Sequence, residues 1–535
     1  MNGPRRRFRG GLTQLGVRQP RRSSTAAVAV GAVLATAGRA QAHGFGQRYD
    51  LPVPLWLWVT GAAAAVVLSF AVIGVFVRGT PGLHGYPRLN LLRWPIGRFL
   101  AHRAVRLTVK VVAVALLVLI VATGLLGHVN PTRNLAPTAV WVLWWVGFAY
   151  VSALLGNLWT LVNPWKSLFE GVETLFRRGD PDDEFTLGVP YAPWLGAWPG
   201  VVLFLAFSWG ELVFSGRAFP RQLALMIVVY SLITWTGMFC FGRTVWLRHG
   251  DPFALAFRVL ARFAPTELRV TDPSVCEACP VECRDRDGEC VDCEDCFARA
   301  PAPRREWNVR PFGMGLLRNE EISASMVVFV VLLLSTVTFD GFTATPLWAD
   351  LESAMFAVLP AQGVDRLAVI ETMGLLVFPI LFLAVYHFFA GQVATAGGRQ
   401  RSTGAVANAF VVSLVPIAIA YHLAHYFTYL LIQGQLVIPL ASDPFGVGWD
   451  LFGTAASVPE IGIVGARFAW YTAVIAIVLG HIVAVYVAHV IALRAFQDRR
   501  RALRSQYPML VLMVSYTMVS LWIIAQPIVE TGPKG

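Results

Sequence analysis

His422 and His425 sit three residues apart in AYHLAHYFTYLLI, within an apolar stretch at about 405–432 that is long enough to cross a bilayer. Ionisable side chains at such depth are costly and point to function. Residues at i and i+3 share a helix face, so both rings could converge on one metal ion, haem or proton path. The competing expectation is that each ring hydrogen-bonds a neighbouring helix and only ties the bundle together. With ~1.5 Å of rise per residue, both fall in the outer half of the eighth predicted helix. Asp340 closes the sixth and Glu371 begins the seventh on the same side. Imidazoles and carboxylates gathered at one face have the composition of a metal or acid–base site. His422, His425, Asp340 and Glu371 are therefore the candidate catalytic residues, and His481, near the middle of the ninth predicted helix, is a candidate third ligand to a divalent metal of unknown identity. Tyr421, Tyr426 and Tyr429 flank the pair and could fix the ring tautomers by hydrogen bonds.

A second set of chemistry-bearing residues is denser. Six of the seven cysteines fall in one connection as C-x2-C-x3-C-x6-C-x2-C-x2-C, over Cys276, Cys279, Cys283, Cys290, Cys293 and Cys296. In a reducing compartment this spacing favours thiolate ligation over disulfides. Zinc is the first expectation, because four thiolates satisfy a closed tetrahedral site and a short polar segment needs a metal to fold. An iron–sulfur cluster is the alternative, and six thiolates exceed what one zinc can use.

The elements that must position these residues follow from composition. Of 535 residues, 56% are hydrophobic and only 14% charged, with a mean hydropathy of +0.58. This is the composition of an all-α polytopic membrane protein. Spanning stretches recur at about 55–77, 107–127, 138–162, 194–214, 223–242, 322–339, 368–390, 405–432, 466–491 and 508–529, which predicts ten transmembrane helices. Residues 1–42 read as a signal peptide, with a basic start, a short apolar run and a small-x-small site at Ala40-Gln41-Ala42. Cleavage there would leave His43 as the first residue, whose amine and imidazole could chelate copper. It would also remove eight Arg and lower the formal charge from +12 to +4, so nothing calls for nucleic acid as a partner.

With the processed N-terminus outside a bacterial cell membrane, the Arg-rich connections, including the cysteine segment, become cytoplasmic. The expected organisation is a first group of five spans over 43–242, a cytoplasmic metal-binding loop over 243–321 and a second group over 322–535 that carries the histidines. Trp141, Trp144, Trp145, Trp159, Trp165, Trp194 and Trp198 lie near predicted helix ends, where they read as interfacial anchors.

Phosphate-binding loops, dinucleotide fingerprints, nucleophile elbows and HExxH motifs do not occur in the sequence. The segments HGFGQRYDLPVPLWL, CEACPVEC and AYHLAHYFTYLLIQGQ resemble bacterial integral-membrane fenitrothion hydrolases. That resemblance implies cleavage of a P–O bond in a neutral, lipophilic organophosphorus triester, with release of a nitrophenol. Such a substrate partitions into the bilayer and could reach an outer-half site laterally, where a bound metal could polarise the phosphoryl group. Two other classes stay open. One is a copper or small-solute transport protein, which would use His43 and the intramembrane histidines. The other is a haem-binding electron carrier, with histidines on adjacent helices.

Overall fold

In lipid a long apolar run can satisfy its backbone only by closing its own hydrogen bonds, so such runs become helices. The computed structural model describes residues 49–79, 86–176, 185–277, 279, 283–284, 288–359, 365–496 and 498–528. The expected signal peptide and His43 lie outside the described residues. Among the described residues, ten helices are long and apolar enough to cross a membrane: α1 (Leu55–Phe76), α2 (Arg103–Leu126), α3 (Leu135–Leu154), α4 (Pro193–Leu212), α5 (Pro220–Phe241), α6 (Ala324–Thr343), α7 (Arg366–Ala396), α8 (Thr403–Ser442), α9 (Ala466–Ala495) and α10 (Arg499–Ile528). The protein is a helical membrane protein.

Burial sorts these helices into a core and a rim. In α6 and α8, 72% of the most apolar stretch is buried within the protein, against 11% in α2 and α7. Hence α6 and α8 form the centre, and α2 and α7 present their side chains outward. Around the centre, α8 packs on α6 and α9, α10 packs on α9, α7 and α1, and α2 packs on α5. The α8–α9 contact depends on a missing side chain. A Cβ at Gly480 would lie 2.3 Å from Ala420 Cβ and 2.8 Å from the Pro416 carbonyl oxygen. Small residues at this crossing let the two backbones approach closely.

Contacts between connections assign them to two faces. On one face the α1–α2 connection pairs with the α5–α6 connection, Leu89 with Val309 and Asn90 with Asn308. Lys166, between α3 and α4, forms an ion pair with Glu294 of the cysteine segment. On the other face, the His128 and Leu135 amides donate to the Phe445 and Pro444 carbonyls at 2.7 and 3.1 Å, joining the α2–α3 and α8–α9 connections.

Of the helix boundaries that differ from the apolar pattern, two do so for identifiable reasons. α3 stops at Leu154 rather than near 162, because the chain turns at Gly156, whose φ of +138° suits only glycine. α10 begins at Arg499, nine residues before the apolar run, since the basic turn Arg499–Arg504 continues the same helix through Pro508. Within α3, Thr138–Gly147 is wound as a π-helix. Trp145, Trp159 and Trp165 are only 3%, 3% and 6% exposed, so they are interior residues and not interfacial anchors. Trp144 and Trp145 pack edge-on against Phe253 and Phe207, and Phe253 lies on the short helix Pro252–Ala261. That helix sits inside the stretch expected to be a loop and is buried along most of its length.

The rest of that stretch folds as a small antiparallel sheet in the order β1-β4-β2-β3, with β1 Leu89–Asn90, β2 Thr266–Val270, β3 Cys290–Val291 and β4 Arg305–Val309. Its anchor is Glu267. This carboxylate accepts from Arg310 at 2.7 Å, Arg88 at 2.6 Å and Tyr86 at 2.8 Å. Burial alone would raise its pKa, but the Arg310 and Arg88 guanidinium groups more than reverse this and hold the carboxyl below its usual range.

Candidate functional site

Two of the four expected catalytic residues, Asp340 and His425, meet where α6 packs on α8. Asp340, in the last turn of α6, faces α8, where His425 Nε2 lies 2.9 Å and the Tyr426 hydroxyl 2.7 Å from the same carboxylate oxygen, Oδ2. The carboxylate is 25% exposed and the His425 side chain 4%. Two bonds on one oxygen orient both rings, and with Nε2 committed to the carboxylate the remaining ring nitrogen of His425 is Nδ1. A Cβ at Gly341 would stand 2.4 Å from the Tyr421 hydroxyl and 3.5 Å from His425 Nδ1. Glycine there lets both groups face the same narrow space.

His422 looks elsewhere. Positions i and i+3 are ~60° apart around a helix of 3.6 residues per turn, and here that angle separates two neighbours. The His422 ring lies 6.3 Å from Trp145 and 5.4 Å from Tyr150, both on α3, and Tyr426 stands between the two imidazoles at 4.8 and 4.5 Å. The rings therefore do not converge on one point, as a shared metal would require. His422 Nε2 is buried and has no protein hydrogen-bond partner. The ring lines a small apolar cavity of about 20 Å³, with Trp145, Tyr150, Leu260, Leu333 and Val337 among its walls.

Glu211, at the end of α4, is the further acid of this region, close enough to Asp340, Tyr426 and Tyr429 to interact with them electrostatically. Glu371 is half-buried near the start of α7 and is not one of the groups bonded to Asp340 Oδ2. His481 is fully buried, and its Nδ1 lies 2.8 Å from the Ile477 carbonyl. Its ring stands 6.0 Å from Tyr516, which in turn lies 6.4 Å from Tyr421. Tyr516 carried no signal in the sequence beyond a hydroxyl in an apolar run, and only helix packing brings it here. His489 bridges three helices, with Nδ1 2.9 Å from Gln506 Oε1 and Nε2 2.9 Å from the Val77 carbonyl.

Among the described residues, groups of three or more His, Cys, Asp or Glu with metal-ligand geometry occur only in the cysteine segment. The expected metal at His422 and His425 thus does not fit the donors that surround them. The cysteines do fit one. Cys276, Cys283, Cys290 and Cys296 form one set with all ligand atoms within 4.8 Å of one another, and Cys279, Cys283, Cys293 and Cys296 form another. The Sγ atoms of Cys283 and Cys296 are 3.4 Å apart, those of Cys283 and Cys290 3.7 Å, and those of Cys279 and Cys293 3.9 Å. A tetrahedral metal with M–S bonds of ~2.3 Å has S···S edges of ~3.8 Å. The cluster is also the hydrophobic centre of the sheet module, packed with Val270, Phe297 and Ala300. These thiols can hold a metal ion at the point where the module's own core is thinnest.

No family model matches the chain, and no curated protein or solved structure matches it either.

Proposed function

We propose that the chain is a membrane-embedded hydrolase of neutral, lipophilic organophosphorus triesters, acting through His422 with the Asp340–His425–Tyr426 group beside it. The observation that carries this reading is an imidazole, His422, whose Nε2 has no protein partner, on the wall of a small apolar cavity and one helical turn from a preformed carboxylate–imidazole–phenol set. A neutral imidazole in an apolar wall is a general base waiting for a proton donor. His422 Nε2 would take a proton from water as the water oxygen bonds to phosphorus and the P–O bond to the aryl group breaks, the phenolate leaving. Tyr426, held by Asp340 between the two rings, offers a route for moving that proton to His425. The triester class comes from the sequence resemblance, and the cavity in its present form has room for the attacking water alone.

The test is nitrophenol release by the full chain in detergent or proteoliposomes. His422→Ala and Asp340→Asn should each lower turnover by about a hundredfold, the scale of lost acid–base help, with normal membrane insertion. Near-normal release by both variants would remove these residues from the chemistry, and no release by the unaltered protein would remove the hydrolase reading.

A second reading, proton-coupled solute transport, is favoured by the buried polar groups that continue inward from His425. Tyr421 Oη and His481 Nε2 lack protein partners, and both rings lie beside Tyr516, whose hydroxyl bonds Thr338. Solute-dependent proton uptake by proteoliposomes, abolished in His481→Ala while hydrolysis is absent, would favour it.

A further inference from the structure

Six thiolates in two overlapping sets of four pose a problem of counting. A single tetrahedral zinc uses four thiolates, and an iron–sulfur cluster also takes four while supplying its own sulfide. Either choice leaves two cysteines idle in a module whose interior is made largely of cysteine. The two sets share Cys283 and Cys296, and these shared Sγ atoms make the shortest sulfur–sulfur approach, 3.4 Å. Of the unshared cysteines, Cys276 and Cys290 belong to one set and Cys279 and Cys293 to the other.

This partition coincides with a repeat in the sequence. The motif is two similar halves, C-x2-C-x3-C over Cys276, Cys279 and Cys283, and C-x2-C-x2-C over Cys290, Cys293 and Cys296. In each half the first cysteine joins one set, the second joins the other, and the third joins both. The two halves therefore stand in equivalent relation to two tetrahedra that share an edge.

We propose that this segment holds two divalent metal ions in one sulfide-free thiolate cluster, with Cys283 and Cys296 bridging. Each ion would have two bridging and two terminal thiolates, and the thiol protons would pass to solvent on binding. Six thiolates against two divalent cations leave a net negative charge, and the Arg284 side chain interacts with Cys276 at the edge of the cluster. Zinc and cadmium, which bind thiolate without geometric preference of their own, suit such a site.

The experiment uses the full chain, purified in detergent after growth with zinc and, separately, with cadmium-113. Two metal ions per chain, no acid-labile sulfide, and two cadmium resonances split by coupling through shared sulfur are the expected results. One metal per chain, iron with sulfide, or two uncoupled resonances would each overturn the proposal. Cys279→Ser removes a terminal ligand and should lower the content from two ions to one, whereas Cys283→Ser should lower it to none or abolish folding. If Cys279→Ser retained two ions, the partition above would be wrong. None of these readouts depends on hydrolysis, so this proposal and the functional one fail separately.

Discussion

Two buried acids serve opposite ends. Glu267, in the sheet module, is fully enclosed and its two oxygens are divided among Arg310, Arg88 and Tyr86, with Arg310 equally enclosed. Asp340, in the membrane core, keeps a quarter of its side chain exposed and gathers His425 and Tyr426 on a single oxygen. The first is a neutralised charge, held by groups that do not lose protons near neutral pH. The second is partnered by an imidazole, whose two ring nitrogens can each donate or accept a proton. A carboxylate saturated by guanidinium fixes a fold; one shared between an imidazole and a phenol can pass a proton.

The comparison can be broken first at Glu267. Glu267→Ala leaves Arg310 buried with only Asp292, 3.7 Å away, to offset its charge, which costs about 3 kcal/mol. Limited proteolysis of the full chain should then cut within the 262–321 region, and metal content should fall; unchanged resistance would mean the pair is not structural. Asp340→Asn is the matching test in the membrane, where turnover should fall by about a hundredfold while the unfolding midpoint in detergent barely moves. A large loss of stability with intact turnover would reverse the roles assigned to the two acids.

A smaller effect is expected where α8 meets α9. Gly480→Ala places a methyl group against Ala420 and the Pro416 carbonyl, an overpacking that costs about 1–3 kcal/mol. Scanning calorimetry of the detergent-solubilised protein measures it. Nitrophenol release would fall as well if the groups on α8 proposed for hydrolysis depend on this spacing.

The smallest effect is graded with pH. Because the folded-state pKa of Glu267 lies below that of an unfolded Glu, its contribution to stability is complete above the unfolded value of about 4.3. It is lost as pH falls through the lower folded value. Protease resistance of the sheet should hold through mildly acidic solution and decline only below that range. In Glu267→Gln this acid-dependent step should shrink.

How far these sites could be read from sequence depended on the distance between their parts. The cysteines lie within 21 positions, from Cys276 to Cys296, so spacing alone pointed to a metal. Hydropathy located all ten spans, since each must hide its own backbone from lipid. The depth of Asp340 and His425 was legible too, because rise along a helix is fixed. Their contact was not, since hydropathy carries no angle about the helix axis and left Asp340 and Glu371 equivalent. Nor was the parting of His422 from His425, which follows from which neighbour each ring meets. The pairing of Leu89 with Val309 had no signal at all in a two-residue strand.

That pairing has a consequence for synthesis. Leu89 leaves the ribosome some 220 residues before its partner Val309, an interval of roughly 10–40 s at about 5–20 residues per second. Arg88 must wait nearly as long for Glu267. During that time four more spans enter the membrane, while a short strand stays unpaired at its surface with an uncompensated guanidinium beside it. The sheet can close only after α5 is in place, so closure reports that the first half of the bundle has been threaded in the correct alternation. A nascent chain that skipped one span would carry Leu89 and Val309 to opposite sides of the bilayer, and the cysteines would be left without the strand that backs them.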